Sequence, residues 1–283
     1  MAYAPVTITT NAALLRTVTD DEFALDPAEE AVIAGFVAKP VGTTAVGKEL
    51  VLRKIAAHTA SKYAGAGGLP ASLNTNANAE VAVTLPIAYA YAMGELDEAS
   101  LTRLVQEGGY RNGYRKQMAL AVNGQIDIDL FALAASLSHS ETGASVTETM
   151  YASALKQLAK YAKNKFKIGE TDVRLFVHPD VLDDVLVMPL AKEYQIRGSA
   201  GSAVSGQLAT SFGIKIEESG NVLQSAGHTY CPLVLKDAFA IGYNRTPSAL
   251  PEQQDGLHTR MIYRAEYACG EWFDSSGVVL DIS

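Results

Sequence analysis

Three stretches hold residue types that could bind phosphate or perform catalysis, but their spacing suits neither chemistry. The glycines of Gly65–Gly68 could cradle a phosphate, yet no Gly-Lys-Ser/Thr follows and no strand–loop–helix pattern frames them. The glycines and serines of Gly198–Gly206 lack the spacing of a nucleophile elbow. Asp127 and Asp129 are two positions apart on a predicted helix, so their carboxylates point to different sides. We therefore predict no catalytic or cofactor site and expect that the chain is not an enzyme.

The histidines and cysteines do not predict a metal site. None of the five histidines has a second histidine at the i, i+4 spacing of a helical metal pair: His58, His139, His178, His228 and His258. Cys231 and Cys269 lie far apart without a C-x-x-C pattern, which favours a reducing compartment. We predict no bound metal.

The charge balance excludes a freely basic nucleic-acid reader. The chain has 31 acidic and 23 basic residues among 283, a net charge of −8 and a pI of about 5.2. A protein that neutralises many DNA phosphates needs the opposite balance. Hydrophobic residues make up 48%, enough for a sizeable core. We find no secretory signal and no window of about 18 apolar residues, so we expect no membrane contact.

The first third of the chain favours an arm followed by a long β excursion. Residues 1–40 have no pattern that could bury a core alone, so we interpret them as an arm that lies on something else. A strand is predicted over 49–55, and the glycine-rich residues 63–78 are typical of a mobile loop tip. Apolar residues then alternate strictly from Val81 to Met93, which predicts one long strand. Pro86 favours an edge position for it, and a covering subunit would explain such an exposed ribbon.

The middle of the chain changes to helical spacing. A long helix, bent or broken by glycines, is predicted over 95–138, and a second one begins at a capping box, Ser145–Glu148. The basic residues of the first helix could contact nucleic acid or acidic neighbours, or form a solvated face: Arg103, Arg111, Arg115 and Lys116. Further strands are predicted over 173–177, 214–217, 230–235, 239–243 and 260–267, with a small helix after His178. The fold class is therefore α+β.

This order of elements resembles that of tailed-phage major capsid proteins with the Hong Kong 97-type fold. The stretch Val204–Ile216 is similar to the family's glycine-marked turn that returns as a strand. Lys236–Gly242 and Ile262–Trp272 are also similar to family segments. Each motif is weak alone, and the resemblance comes from their order and spacing over nearly the whole chain.

The resemblance implies a role for each part of the chain. Residues 1–40 would be the N-terminal arm, 41–144 the peripheral domain, 145–256 the axial domain, and 257–283 a strand that returns to the peripheral domain. Within the peripheral domain, 47–93 would be the extended loop that reaches over a neighbouring subunit, and 95–138 the spine helix. We assign assembly contacts to Lys62, Tyr63, Val81, Val83, Tyr89, Arg103, Arg111 and Arg115.

The resemblance also implies partners and a location. The chain would form hexamers and pentamers of an icosahedral virion shell around double-stranded DNA, assembled in the host cytoplasm. A portal, a separate scaffolding protein and a cement protein are implied partners, while packaged DNA would be contacted only weakly. Such shells expand from a procapsid to a mature form. We hypothesise that the arm and residues 63–78 are the parts that move.

Two alternatives stay open at this point. An encapsulin has the same fold and forms a bacterial protein compartment, and a neighbouring gene for a terminase or portal would separate it from a phage shell. A soluble α+β enzyme, whose site assembles only in three dimensions, would form a small oligomer rather than a shell.

Overall fold

The computed structural model describes residues 31–40, 44–46, 48–55, 80–97, 107–167, 172–187, 214–255 and 258–283. The helices within these ranges are α1 (Ile33–Phe36), α2 (Glu107–Ala132), α3 (Glu148–Ala162) and α4 (Pro179–Val187). The strands are β1 (Thr44–Val46), β2 (Glu49–Ile55), β3 (Glu80–Pro86), β4 (Ala88–Asp97), β5 (Ser140–Gly143), β6 (Val173–Val177), β7 (Lys215–Glu218), β8 (Gln224–Ser225), β9 (His228–Leu235), β10 (Phe239–Ala249), β11 (Gln253–Asp255), β12 (His258–Glu271) and β13 (Gly277–Ile282). The predictions for Lys62, Tyr63, Arg103 and residues 63–78 lie outside the described residues.

The largest sheet has six strands in the order β5-β13-β9-β6-β7, with β8 paired to β9. Strand β9 runs antiparallel to β13 and β6, whereas the β5–β13 and β6–β7 pairs are parallel. Most residues of β6 and β13 are buried, as expected for strands covered on both faces. The predicted strand 173–177 is confirmed, and α3 packs against β13.

Helix α3 begins two residues later than the capping box predicted. Thr147, not Ser145, is the N-cap: its backbone is extended and its Oγ1 accepts a hydrogen bond from the Met150 amide at 3.3 Å. Ser145 precedes a loop residue, Val146, whose amide instead donates to Asp184 Oδ2 at 3.4 Å. The apolar side of α3 is buried as predicted: Met150, Tyr151, Ala154, Leu155, Leu158 and Ala162.

The second large sheet has four strands, with β4 on one side of β12 and β10 and β11 on the other. Helix α2 lies against its inner face and contacts β4, β10 and β12. The predicted helix 95–138 therefore starts too early, since Glu95 and Asp97 pair with Arg260 and His258 as the end of β4. The helix is unbroken from Glu107 to Ala132 and continues as a 3₁₀ turn to Ser136.

The predicted single strand 81–93 is two strands that belong to different sheets. Strand β3 pairs with β2 in a three-stranded sheet of order β1-β2-β3, whereas β4 pairs with β12. The break falls after Pro86, which has no amide hydrogen, and the Ile87 amide bonds to the Lys48 carbonyl at 2.9 Å. The edge position predicted from Pro86 is confirmed, because β3 pairs only with β2 among the described strands.

One hydrophobic core is shared by the two large sheets, and it includes part of the predicted arm. Ile33, Phe36 and Val37 are at most 3% exposed. Ala38 bridges to Ala240 of β10, through hydrogen bonds of 3.2 Å to the Phe239 carbonyl and 3.0 Å from the Ile241 amide. Residues 33–38 of the predicted arm therefore lie on the body of the same chain.

The strands of the C-terminal half are divided between the two large sheets. Residues 277–282, expected to return to the peripheral domain within 257–283, form β13 in the six-stranded sheet. Residues 239–249, expected in the axial domain, pair with β12 in the four-stranded sheet. Strand pairing rather than chain order decides both placements, and β13 pairs with β9 over its whole length.

Helix α2 is long and apolar, although the sequence analysis expected no membrane-spanning segment. By length and composition alone, Arg111–Ser136 could cross a membrane, with a mean hydropathy of 1.3 over an 18-residue window. Core helices of globular proteins share this property. Val122, Ile126, Leu130 and Phe131 are each at most 2% exposed, so we interpret α2 as a core helix.

Candidate assembly surface

The outer face of the four-stranded sheet carries large side chains that the chain itself leaves uncovered. Side chains alternate along a strand, so Tyr89, Tyr91 and Met93 of β4 share this face. The two tyrosines are 62% and 65% exposed. Their partners on β12 are Glu266 for Tyr89, Arg264 for Tyr91 and Ile262 for Met93. We name this set of six residues the tyrosine face.

The inner face of β4 is built from small residues so that α2 can approach. Ala90 is buried, and Ala92 and Gly94 follow on the same side. A Cβ on Gly94 would lie 1.8 Å from the Tyr114 hydroxyl oxygen of α2, so only glycine fits there. Burial raises the pKa of Tyr114. The alternation therefore places the large residues outward and the small ones against the helix.

Charged residues frame the tyrosine face. Arg260 donates to Glu95 Oε1 from Nε at 2.9 Å and from Nη2 at 2.6 Å. Glu266 accepts from Asn244 Nδ2 at 2.7 Å. The Nε of Arg264 is buried and has no hydrogen-bond partner among the described residues.

The other end of the same sheet face is covered by the three-stranded sheet. Leu50 and Leu52 of β2 form a small core cluster with Ala240, Ala268 and Trp272. Gly270 lies beneath Leu85 of β3, so closely that a Cβ on it would be 2.7 Å from the leucine Cδ1. We name this region the covered end.

The predicted interface residues of this sheet and of β3 differ in their surroundings. Tyr89 is exposed, as an assembly contact requires. Val83 is half-buried and packs on the cluster of the covered end, so its contacts are within the chain. The side chain of Val81 is outside the described residues. Sequence reasoning missed Tyr91, although the same alternation places it beside Tyr89.

The two predicted arginines of α2 bind an acidic residue of the same chain. Arg111 Nη1 donates to Glu252 Oε2 at 3.0 Å, and Arg115 Nη2 binds Glu252 Oε1. Glu252 lies between β10 and β11, so these ion pairs join the helix to the sheet. The sequence analysis named acidic neighbours among the possible partners of these arginines, and Glu252 is an acidic partner within the same chain.

Asp127 fixes the place where the arm joins the body of the protein. It is 0% exposed, and its carboxylate accepts hydrogen bonds from the amides of Val32 (2.5 Å), Ile33 (3.3 Å) and Ala34 (2.9 Å). These amides begin α1 and have no partner within the helix. We therefore restrict the hypothesis of a moving arm to the residues before Val32.

The remaining polar groups near the sheet do not form a metal cluster. No group of three or more histidine, cysteine or acidic residues that could hold a metal occurs in the described part of the chain. Tyr267 donates to Asp129 Oδ2 at 2.5 Å, and burial followed by this bond raises its pKa. Burial raises the pKa of the Cys231 and Cys269 thiols to about 11, so both are protonated at neutral pH.

Comparisons with known proteins relate this architecture to phage shells. No protein-family model and no curated protein matches the sequence. A structure titled Mycobacterium phage Che8 has a TM-score of 0.67 at 17% identity, over 93% of this chain and 95% of that one. The capsid structure of the Cyanophage P-SCSP1u has 0.65 at 13%, over 97% and 94%. The head structure of Helicobacter pylori bacteriophage KHP40 has 0.66 at 10%, over 100% and 99%.

These matches extend over nearly the full length of both chains, so the structural likeness applies to nearly the whole architecture. The identities are too low to carry individual residue roles across. They confirm the predicted fold: this chain has the α+β fold of tailed-phage capsid chains.

Proposed function

We propose that the chain is the major capsid protein of a tailed bacteriophage, which assembles into an icosahedral shell around double-stranded DNA. The observation that carries the proposal is the near full-length structural likeness to phage capsid chains. The protein would then be located in the virion after assembly in the host cytoplasm. The shell is a structural role, and catalysis has no part in it.

The tyrosine face is the surface that we assign to contacts between copies. Tyrosines supply a large apolar area together with a hydroxyl group, and they are enriched at protein interfaces. Two of them more than 60% exposed on one strand fit a surface that is completed by another chain. The occupant is the neighbouring subunit's extended loop, whose base in this chain is formed by β2 and β3.

The parts of the chain keep the roles that the family resemblance suggested, with changes at the boundaries. Residues before Val32 would be the free arm, α2 the spine helix, and the six-stranded sheet the centre of the axial domain. Repeated modest contacts suffice in a closed shell, because each contact makes the next one effectively intramolecular. A portal, a scaffolding protein and a cement protein remain the expected partners.

Electron microscopy of the expressed protein tests this function, with and without its neighbouring genes. We expect closed shells, or sheets and tubes of hexamers, from the wild type. The double variant Tyr89→Glu, Tyr91→Glu should fold normally by circular dichroism but remain a small oligomer, because charge is placed on the interface. The control Asn112→Glu, Ala121→Glu adds the same charge at exposed positions of α2 and should assemble.

Two outcomes would contradict the proposal. A small, monodisperse oligomer from the wild type under every condition would remove the shell function altogether. Shells that enclose proteins instead of DNA when the neighbouring genes are present would indicate a cellular compartment with the same fold.

A further inference from the structure

The end of α3 and the turn after it form a lysine-rich surface, which consists of Lys156, Lys160, Lys163, Lys165 and Lys167. These five residues are among only 23 basic residues in a chain of net charge −8. No acidic residue occurs between Thr149 and Gly169. All five lysines are exposed. The chain therefore concentrates positive charge in one place while it is acidic overall.

Three of the lysines have no ion pair to explain them. Lys156 and Lys160 are at i and i+4 in α3, so they share one side of the helix, and Lys163 directly follows its last residue. None of the three has a carboxylate within 4.0 Å in the described parts of the chain. Lys165 differs, because its ammonium binds Asp237 at 2.6 Å and lies 3.5 Å from the centre of the Phe273 ring.

The helix dipole accounts for only part of this surface. Cations stabilise the C-terminal end of a helix, but the effect is confined to about the last turn. Lys160 lies in that turn, whereas Lys156 is earlier and Lys163 follows Ala162, the last residue of α3. The dipole therefore does not account for Lys156.

Lys163 occupies a backbone position that favours glycine. Its φ is 52° and its ψ is −124°, a conformation that lysine adopts at a cost and glycine adopts freely. The lysine side chain has no ion pair among the described residues that would offset this cost. A strained residue without local compensation is a sign that its side chain serves a function.

We propose that the lysine-rich surface contacts the phosphate backbone of duplex DNA. Lysine ammonium groups are point charges that recognise charge density rather than shape, which suits DNA of any sequence. A small number of such contacts gives weak, salt-dependent binding, so packaged DNA would be held near the wall without adhering to it. The proposal goes beyond the shell function and rests on it for the presence of DNA.

Binding of a fluorescent duplex of about 30 base pairs to purified subunits tests this inference, across about 50 to 200 mM salt. We expect the wild-type binding constant to fall about 40-fold over that range if three lysines each contact a phosphate. The triple variant Lys156→Gln, Lys160→Gln, Lys163→Gln should lose most of the binding and nearly all of the salt dependence. The control Lys48→Gln, Lys116→Gln, Lys215→Gln removes the same charge at exposed positions and should bind like the wild type.

The single variant Lys163→Gly distinguishes a loss of DNA binding from a loss of stability. Glycine relieves the backbone, so the melting temperature should equal or exceed that of the wild type while DNA binding weakens. Triple-variant binding equal to that of the wild type would overturn the proposal. So would displacement of the duplex by poly-glutamate as effectively as by unlabelled DNA, which would indicate a surface for acidic proteins. Shell formation by the triple variant is scored separately by microscopy, so failure here does not depend on the capsid function.

Discussion

The two ends of the outer face of the four-stranded sheet differ in which part of the chain supplies their large side chains. At the covered end, Ala240, Ala268 and Gly270 are small, and leucines of the three-stranded sheet pack on them beside Trp272. At the tyrosine face the large side chains belong to the sheet itself, and charged residues surround them. One end is covered within the chain, and the other carries two tyrosines that the chain leaves exposed.

Under the proposed function, this difference separates residues that fold the subunit from residues that would join subunits. Burial within the chain contributes to the stability of an isolated subunit, whereas the tyrosine face would contribute only after association. The tyrosine face and the covered end share no residue, so each can be changed by substitution without replacing a residue of the other. Their roles can therefore be measured independently.

The largest expected effect comes from exchanging one leucine at the covered end. Leu52 is 0% exposed, and Leu52→Ala should lower the free energy of unfolding of the subunit by about 2–5 kcal/mol, because it leaves a cavity. Tyr91→Ala should cost less than about 1 kcal/mol in the same urea titration, since only contacts across the strands are lost. In assembly assays the order should reverse, with Tyr91→Ala forming fewer shells at equal concentration of folded protein.

Equal costs for the two variants in the isolated subunit would contradict this comparison. They would mean that the tyrosine face is already packed within the chain. The remaining question would then be which residues of the same chain cover it.

A second prediction concerns the close contact of the two sheets. Gly270→Ala would place a Cβ 2.7 Å from Leu85 Cδ1 and 2.8 Å from Cδ2, so the leucine must shift. Such overpacking costs about 1–3 kcal/mol in the free energy of unfolding. Leu85→Ala in the same chain should recover part of this cost, which a double-mutant cycle measures as a coupling energy.

Gly35→Ala is the matched control for this substitution. Nothing lies within 4 Å of a Cβ on Gly35, and the residue is inside α1, where alanine is favoured over glycine. It should not destabilise the subunit. Additive costs of Gly270→Ala and Leu85→Ala would show that the two residues do not constrain each other.

The elements of this sheet could be predicted from sequence more readily than their pairing. Strict alternation from Val81 to Met93 correctly predicted extended structure, and Tyr89, which was assigned to assembly contacts, is exposed. It could not reveal the change of sheet at Pro86, because the period of two continues through Ile87 into β4. Local patterns determine which residues share a face, while the partner strand depends on residues more than 160 positions away.

For charged side chains, too, the sequence does not reveal the residue that each one binds. Arg111 and Arg115 have the type and spacing of a binding patch, yet both bind Glu252, far along the chain. Asp127 has the type of a catalytic carboxylate, yet it caps α1 in the arm. The sequence shows which chemical groups are present, and only the fold shows which residue binds each of them.

The smallest expected effect lies in the ion pair at the end of the tyrosine face away from the covered end. Arg260 and Glu95 are 40% and 19% exposed, so Glu95→Gln should cost only about 0.2–1 kcal/mol in the subunit, and high salt should remove the difference. Glu218→Gln, which removes a similar charge at an exposed position of β7, is the control and should have no effect. Covering the tyrosine face with a neighbouring subunit would exclude water from the Arg260–Glu95 pair and strengthen it. The loss in shell assembly should therefore exceed the loss in unfolding free energy, and equal losses in both assays would place this ion pair outside the contact.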